Sequence, residues 1–219
     1  MLKKVTLNMS FLENLNWRYA TKKFDKTKKI SLENLQTIRD AIRMAPSSFG
    51  LQMFLVIEVV DSQIREKIKA ASYNQAQVID ADSFFIFAAR NDAENRIDQM
   101  FIKLNSQDFG ISKEHLIEHE KTVKSVMLNS NFMTKEKLFT ISNTNLGIAL
   151  GFGLAACAEL KIDACPMEGF DSQAVKKILN LSDDFLPVAY LAIGYRDESD
   201  DLLKVKKFRF SEEEIFKKI

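Results

Sequence analysis

The residues able to do chemistry in this chain fall into a few short patches. Arg18 and Lys22 lie within Trp17-Arg18-Tyr19-Ala20-Thr21-Lys22-Lys23-Phe24. In an extended chain alternate side chains share a face, so Arg18, Ala20 and Lys22 point one way and Tyr19, Thr21 and Lys23 the other. The first face offers a planar guanidinium, a gap where backbone can be approached, and an ammonium. That set suits a ligand with a phosphate at one end and an electron-rich ring at the other. The plain alternative is a solvated basic loop. Four further patches are Pro46-Ser47-Ser48, Asn74-Gln75, Pro166-Met167-Glu168-Gly169-Phe170 and Lys204-Val205-Lys206.

Two other motifs compete. Gly151-Phe152-Gly153-Leu154-Ala155-Ala156 fits a dinucleotide fingerprint, with Asp171 twenty residues beyond Gly151. Such a fingerprint needs a strand before it, and the preceding Leu146–Leu150 continues a helical segment. His115-Leu116-Ile117-Glu118-His119 fits a zinc-hydrolase pattern, and on a helix both imidazoles share a face. These are the only two histidines, in a charged helix, and nothing singles out a third ligand. No metal site is therefore expected.

The elements that must position these patches can be read in order. Ser10-Phe11-Leu12-Glu13 reads as a capping box opening a helix toward Trp17. Ser31 caps a second helix with Leu35, Ile38, Ile42 and Ala45 on one face, stopped by Pro46. Met53–Val60 and Ser83–Ala89 read as buried strands. Asp61 caps a helix through Ile68. Asn91–Asn131 is charged and helical, in two segments broken near Phe109-Gly110. Thr134 caps a helix reaching Leu160. Ile162–Pro166 is a short strand, Asp171 caps a helix to about Leu179, and Pro187–Gly194 is a strand.

From Leu138 to Ala158 no residue is charged, a length that could span a bilayer. Ser142, Asn143, Thr144 and Asn145 crowd its first half, so the stretch reads as a packed helix and no membrane partner is expected. Gly147, Gly151 and Ala155 recur every four residues and leave a nearly flat face, which suggests a helix at the centre of a dimer.

Composition sets the bounds. The chain has 219 residues, 46% hydrophobic and 28% charged, which suits one domain with a sizeable core. A net charge of +1 supplies no field for nucleic acid. Cys157 and Cys165 lack a CxxC spacing and read as reduced thiols, which suits the cytoplasm. No signal peptide is read at the N-terminus. Strands separated by helices give an α+β or α/β layout, with the sheet covered on both faces.

Taken together, and in their order from Phe11 to Phe216, these patches resemble the FMN-dependent nitroreductase family. The nearest branch is that of NAD(P)H nitroreductases and dihydropteridine reductases. The resemblance is carried most strongly by Arg18–Phe24, Ala45–Ser48 and Pro166–Asp171. It implies an α+β fold with a central, mostly antiparallel sheet flanked by helices, and an intertwined homodimer with two FMN sites. It implies residues 1–219 as a single domain, with a helical excursion at about 91–131 over the site and a C-terminal extension at about 197–219. It also implies a ping-pong cycle with NAD(P)H as co-substrate and nitroaromatics, quinones or pterins as acceptors. A flavin-binding or sensor protein of the same fold is the alternative.

Residue roles follow from the resemblance alone. Arg18, Lys204 and Lys206 hold the FMN phosphate. Tyr19, Ala20 and Thr21 line the flavin and its ribityl chain, partly through backbone. Pro46, Ser47 and Ser48 come from the other subunit. Asn74 bonds the pyrimidine edge, and Glu168 and Gly169 present backbone N–H groups. Lys22 and Gln77 face the substrate side. A Lys22 cation about 4 Å from a reduced flavin contributes roughly 4 kcal/mol at an effective dielectric near 20. No side chain is assigned acid–base work, so no catalytic residue is named.

Several positions depart from the family. Lys206 stands where arginine is usual, and lysine cannot grip phosphate bidentately. Ala20 replaces a common serine, Gln77 a common lysine, and Gln52-Met53-Phe54 the usual Gln-Pro-Trp. In the excursion, Phe101, Leu104, Phe109, Val123 and Met127 either shape the substrate pocket or pack as helix core.

Overall fold

The computed structural model describes residues 7–129, 131 and 133–219. Its centre is a four-stranded sheet in the order β1-β2-β4-β3. The strands are β1 (Phe54–Glu58), β2 (Ser83–Arg90), β3 (Asp163–Met167) and β4 (Phe185–Gly194). All three pairings are antiparallel, with Val56 opposite Phe87, Ile86 opposite Tyr190 and Cys165 opposite Ala192. The α+β class and antiparallel sheet match the expectation.

Alternation sends the two faces of β2 into different cores. Phe85, Phe87 and Ala89 pack with Ile38, Ile42, Ala149, Cys157 and Leu191. Phe84 and Ile86 pack with Ile68, Val78, Cys165, Val175 and Tyr190. Every residue of β2 is buried. Each of its phenylalanines contributes roughly 1.5–3 kcal/mol by leaving water. By contrast β1 is half-buried along its whole length. It pairs with β2 alone among the described strands, and so forms an edge rather than the buried strand its composition suggested.

One face carries α2 (Leu32–Arg43) and α7 (Lys135–Glu159). The other carries α3 (Ser62–Ala70), the single turn α4 (Gln77–Asp80) and α8 (Ser172–Ile178). Ser31, Asp61, Thr134 and Asp171 each cap the helix assigned to them. Ser10 does not. Helix α1 already runs from Leu7 to Trp17, so Ser10 lies inside it, and an N-cap requires non-helical backbone.

Helix α7 is long and apolar enough to cross a membrane, but it packs along the sheet. Its buried polar groups are bonded: Ser142 Oγ accepts from Arg90 N at 2.7 Å, and Asn145 Oδ1 accepts from Ser48 N at 2.6 Å. The glycine motif is explained by packing. A Cβ at Gly153 would stand 2.9 Å from Ile42 Cγ1, so glycine lets α7 approach α2. Gly147, Ile148, Gly151 and Phe152 lie on an exposed stretch of the same helix.

The excursion forms an antiparallel hairpin of α5 (Ala93–Ser106) and α6 (Lys113–Met127). Phe101, Val123 and Met127 are buried in a core of its own with Leu51, Met53 and Ile97, and Leu104 packs against it. Of the five residues proposed to shape a pocket, only Phe109 is exposed, in the connecting turn. His119 stands edge-on to Phe101 at 5.5 Å. Among the described residues no group of three His, Cys, Asp or Glu side chains is placed to hold a metal.

Candidate cofactor site

Residues 18–24 run extended along the outer edge of β3, bridged to it at Ala20–Ala164, and meet Arg196 at Phe24. One carboxylate fixes this segment. Asp200 Oδ2 accepts from Lys22 N at 2.7 Å, Lys23 N at 3.1 Å and the Tyr19 hydroxyl at 3.2 Å. Its Oδ1 caps the 3₁₀ turn Asp201–Lys204 through Leu202 N. Burial pushes the Asp200 carboxyl up, but these N–H and O–H donors outweigh it and hold it below the usual carboxylate range. Tyr19 is pushed up to about 12, first by burial and then by Asp200.

A second buried carboxylate lies beneath. Asp163 accepts from Arg196 N at 2.8 Å and from Arg196 Nε at 2.6 Å. The Arg196 guanidinium sits 4.2 Å over the Trp17 ring and 4.6 Å over that of Tyr19. Thr21 is buried, its hydroxyl 3.5 Å from Asp163 Oδ1. The side chains of Tyr19, Thr21 and Lys23 are thus taken up by the protein, Lys23 Nζ donating to Ser199 O at 3.0 Å. Arg18, Ala20 and Lys22 are left facing elsewhere, as alternation requires.

Asp200→Ala strands three backbone N–H groups, those of Lys22, Lys23 and Leu202, each worth about 1–3 kcal/mol when unpaired. We expect a lower Tm and faster hydrogen exchange at Lys22 and Lys23. Because the folded-state pKa is depressed, this stabilisation is present above the unfolded carboxylate pKa and is lost as pH falls through the folded value. A wild-type Tm advantage over Asp200→Ala that persists undiminished at the acid limit would contradict this.

Arg18 borders a cavity of about 450 Å³ together with Trp17, Tyr19, Lys206, Lys207 and Arg209. Arg18 Nε is buried with no hydrogen-bond partner. Its guanidinium is pushed below its usual pKa by burial and then by Arg209. Lys207 is pushed down by burial and then by Arg18 and Arg209, while its Nζ donates to Leu15 O at 2.6 Å. None of the four cations pairs with a carboxylate among the described residues. Four cations bordering one cavity without a counter-ion among the described residues make a positive potential that favours an anion. The donor set fits a phosphate. Lys207 and Arg209 were not singled out in sequence. The basic tail was visible, but which of its residues reach Arg18 depends on the turn that Asp200 caps. Lys204, at the end of that turn, is exposed and does not line the cavity.

The remaining patches sort into two places. Lys22 Nζ lies 3.8 Å from Cys165 Sγ, and Gln77 is buried at the start of α4. The Asn74-Gln75 loop touches the 168–170 loop, with Gln75 Nε2 donating to Gly169 O at 2.8 Å. Tyr73 and Asn74 both have left-handed backbone, which asparagine tolerates better than most residues. Phe170 stacks on Tyr190 at 3.9 Å and anchors the Glu168-Gly169 turn to the core. Pro46, Ser47 and Ser48 stand apart in this chain. The hydrogen bonds of this loop go to Asn145 and Gln52.

Comparison with known proteins bears on the fold and the family. A protein of Staphylococcus saprophyticus, provisionally named an NAD(P)H nitroreductase, is 33% identical over 202 residues, spanning 87% of this chain and 90% of its own. A crystal structure from Bacillus subtilis, provisionally named a nitroreductase, superimposes with a TM-score of 0.85 at 23% identity, covering 97% of this chain and 100% of that one. One from Exiguobacterium sibiricum, provisionally named a nitroreductase and solved in complex with FMN, gives 0.81 at 16% identity, covering 95% and 97%. The last two likenesses speak to the fold. The model of the nitroreductase family matches residues 15–195, and this chain belongs to that family.

Proposed function

We propose that this chain is an FMN-dependent oxidoreductase that passes hydride from NAD(P)H to nitroaromatic, quinone or pterin-like acceptors in a ping-pong cycle. The observation that carries the reading is the cavity at Arg18, where a partly buried arginine with an unpartnered Nε meets the exposed Lys206, Lys207 and Arg209, none of them paired with a carboxylate among the described residues. Bound FMN supplies the electron transfer itself. Arg18, Lys206, Lys207 and Arg209 hold the phosphate, and Arg209 restores the bidentate grip that Lys206 cannot give. Lys204 adds charge from outside the cavity. Tyr19, Ala20 and Thr21 contribute backbone, since the Tyr19 hydroxyl and the buried Thr21 side chain are engaged within the protein. Asn74 serves the pyrimidine edge, and Glu168 and Gly169 offer backbone N–H groups. Lys22 and Gln77 flank the side where substrate enters.

We further read the protein as a homodimer. The exposed Gly147, Ile148, Gly151 and Phe152 face of α7 supports this, because an apolar face bordered by glycines suits close helix approach. Pro46, Ser47 and Ser48, remote within one chain, then complete the partner's site. Two buried, unpaired thiols fit a reducing compartment and support a cytoplasmic placement.

The test begins with purification without added cofactor. A yellow protein that releases FMN on heating and oxidises NAD(P)H in the presence of menadione or nitrofurazone is expected. Colourless protein that takes up no FMN overturns the reading. FMN-loaded protein without turnover favours the sensor alternative.

A further inference from the structure

Lys22 is an exposed lysine, yet no carboxylate lies within ion-pair distance of it among the described residues. The side-chain partner of its ammonium is the Cys165 sulfur, at 3.8 Å. Cys165 is fully buried on β3, in register with Ala192 on the central strand β4, so it is a rigid point. Burial pushes the Cys165 thiol up, against the opposing pull of Lys22, so it stays neutral. A lysine stem is flexible and loses entropy when fixed, so a defined ammonium position needs such a contact.

We propose that Cys165 is a positioning residue: its thiol forms a neutral seat that locates the Lys22 ammonium while leaving its whole charge available to reduced flavin. This rests on the flavin reading above. A carboxylate in the same place would fix the lysine equally well but cancel its charge. A thiol is a weak, polarisable acceptor and leaves the charge uncompensated.

The experiment compares Cys165→Val, Cys165→Ser and Cys165→Asp as FMN-loaded proteins. Three quantities are read: FMN Kd, the anaerobic rate of reduction by NAD(P)H, and the flavin midpoint potential. Cys165→Val should slow reduction about tenfold, which is one decade of barrier. Its potential should move negative while FMN Kd stays within about threefold. Cys165→Ser keeps an acceptor and should restore both to near wild type. Cys165→Asp should move the potential further negative than Cys165→Val. A potential in Cys165→Asp equal to that of wild type overturns the proposal. Should Cys165→Asp fail to fold by circular dichroism, Cys165→Val decides, and wild-type rate and potential there overturn it. If wild-type protein binds no FMN, it is the flavin reading that fails. The seat is then judged in the apoprotein by NMR of the lysine side chains, where an unmoved Lys22 Nζ titration in Cys165→Asp overturns it.

Discussion

Arg18→Ala should weaken FMN binding roughly 100-fold, since a charge-assisted, bidentate contact to phosphate is worth about 1.5–3 kcal/mol. The companion effect on the empty protein runs the other way. Arg18 is desolvated, carries an orphaned Nε and is repelled by Arg209, so its removal should leave the apoprotein Tm unchanged or higher. A residue that was merely structural would lose both affinity and stability. Arg209→Ala should resemble Arg18→Ala, while Lys204→Ala should change affinity less than threefold, because Lys204 lies outside the cavity. Flavin fluorescence titration of the apoproteins, with melting curves beside it, makes the comparison. Unchanged affinity in both arginine variants would remove the phosphate from this cavity.

Lys22→Ala is the second large effect, and it should fall on electron transfer rather than on affinity. At about 4 Å and an effective dielectric near 20, the ammonium is worth roughly 4 kcal/mol to an anionic ring. Lys22 is exposed, so screening reduces this, and we expect reduction by NAD(P)H to slow about 10- to 100-fold. FMN Kd should rise less than tenfold, since the phosphate grip is untouched. Stopped-flow reduction at saturating NAD(P)H separates the two quantities. Unchanged reduction kinetics would reject the role given to Lys22.

Much of the fold was legible because its signals are local. A polar cap followed by a periodic apolar face is written within one turn, and Ser31, Asp61, Thr134 and Asp171 were all read correctly. Ser10 shows where such signals fail, since the same Ser-x-x-Glu pattern fits inside a helix already begun at Leu7. The edge position of β1 was not legible either. Burial of a strand is set by its neighbours, and Phe54–Glu58 reads like a central strand.

The site was legible in its parts and not in its wiring. Arg18, Lys22 and the Glu168-Gly169 turn stood out by residue type. Asp200 did not, as one acid in an acidic run, yet it ties the Arg18–Lys22 segment to a turn 178 residues away. That long-range tie decides which tail cations face Arg18. The family resemblance points to Lys204 and Lys206 instead. Cys165 was read only as a reduced thiol, because nothing near it in the chain announces Lys22.

The α5–α6 hairpin has an interior of its own, seated on Leu51 and Met53 and tied by Arg96 Nε to Leu51 O at 2.8 Å. An appendage that satisfies its own apolar surface can be lengthened, shortened or exchanged with little cost to the scaffold beneath. The one condition on such an exchange is that the replacement still covers Leu51 and Met53, which the hairpin shields from water.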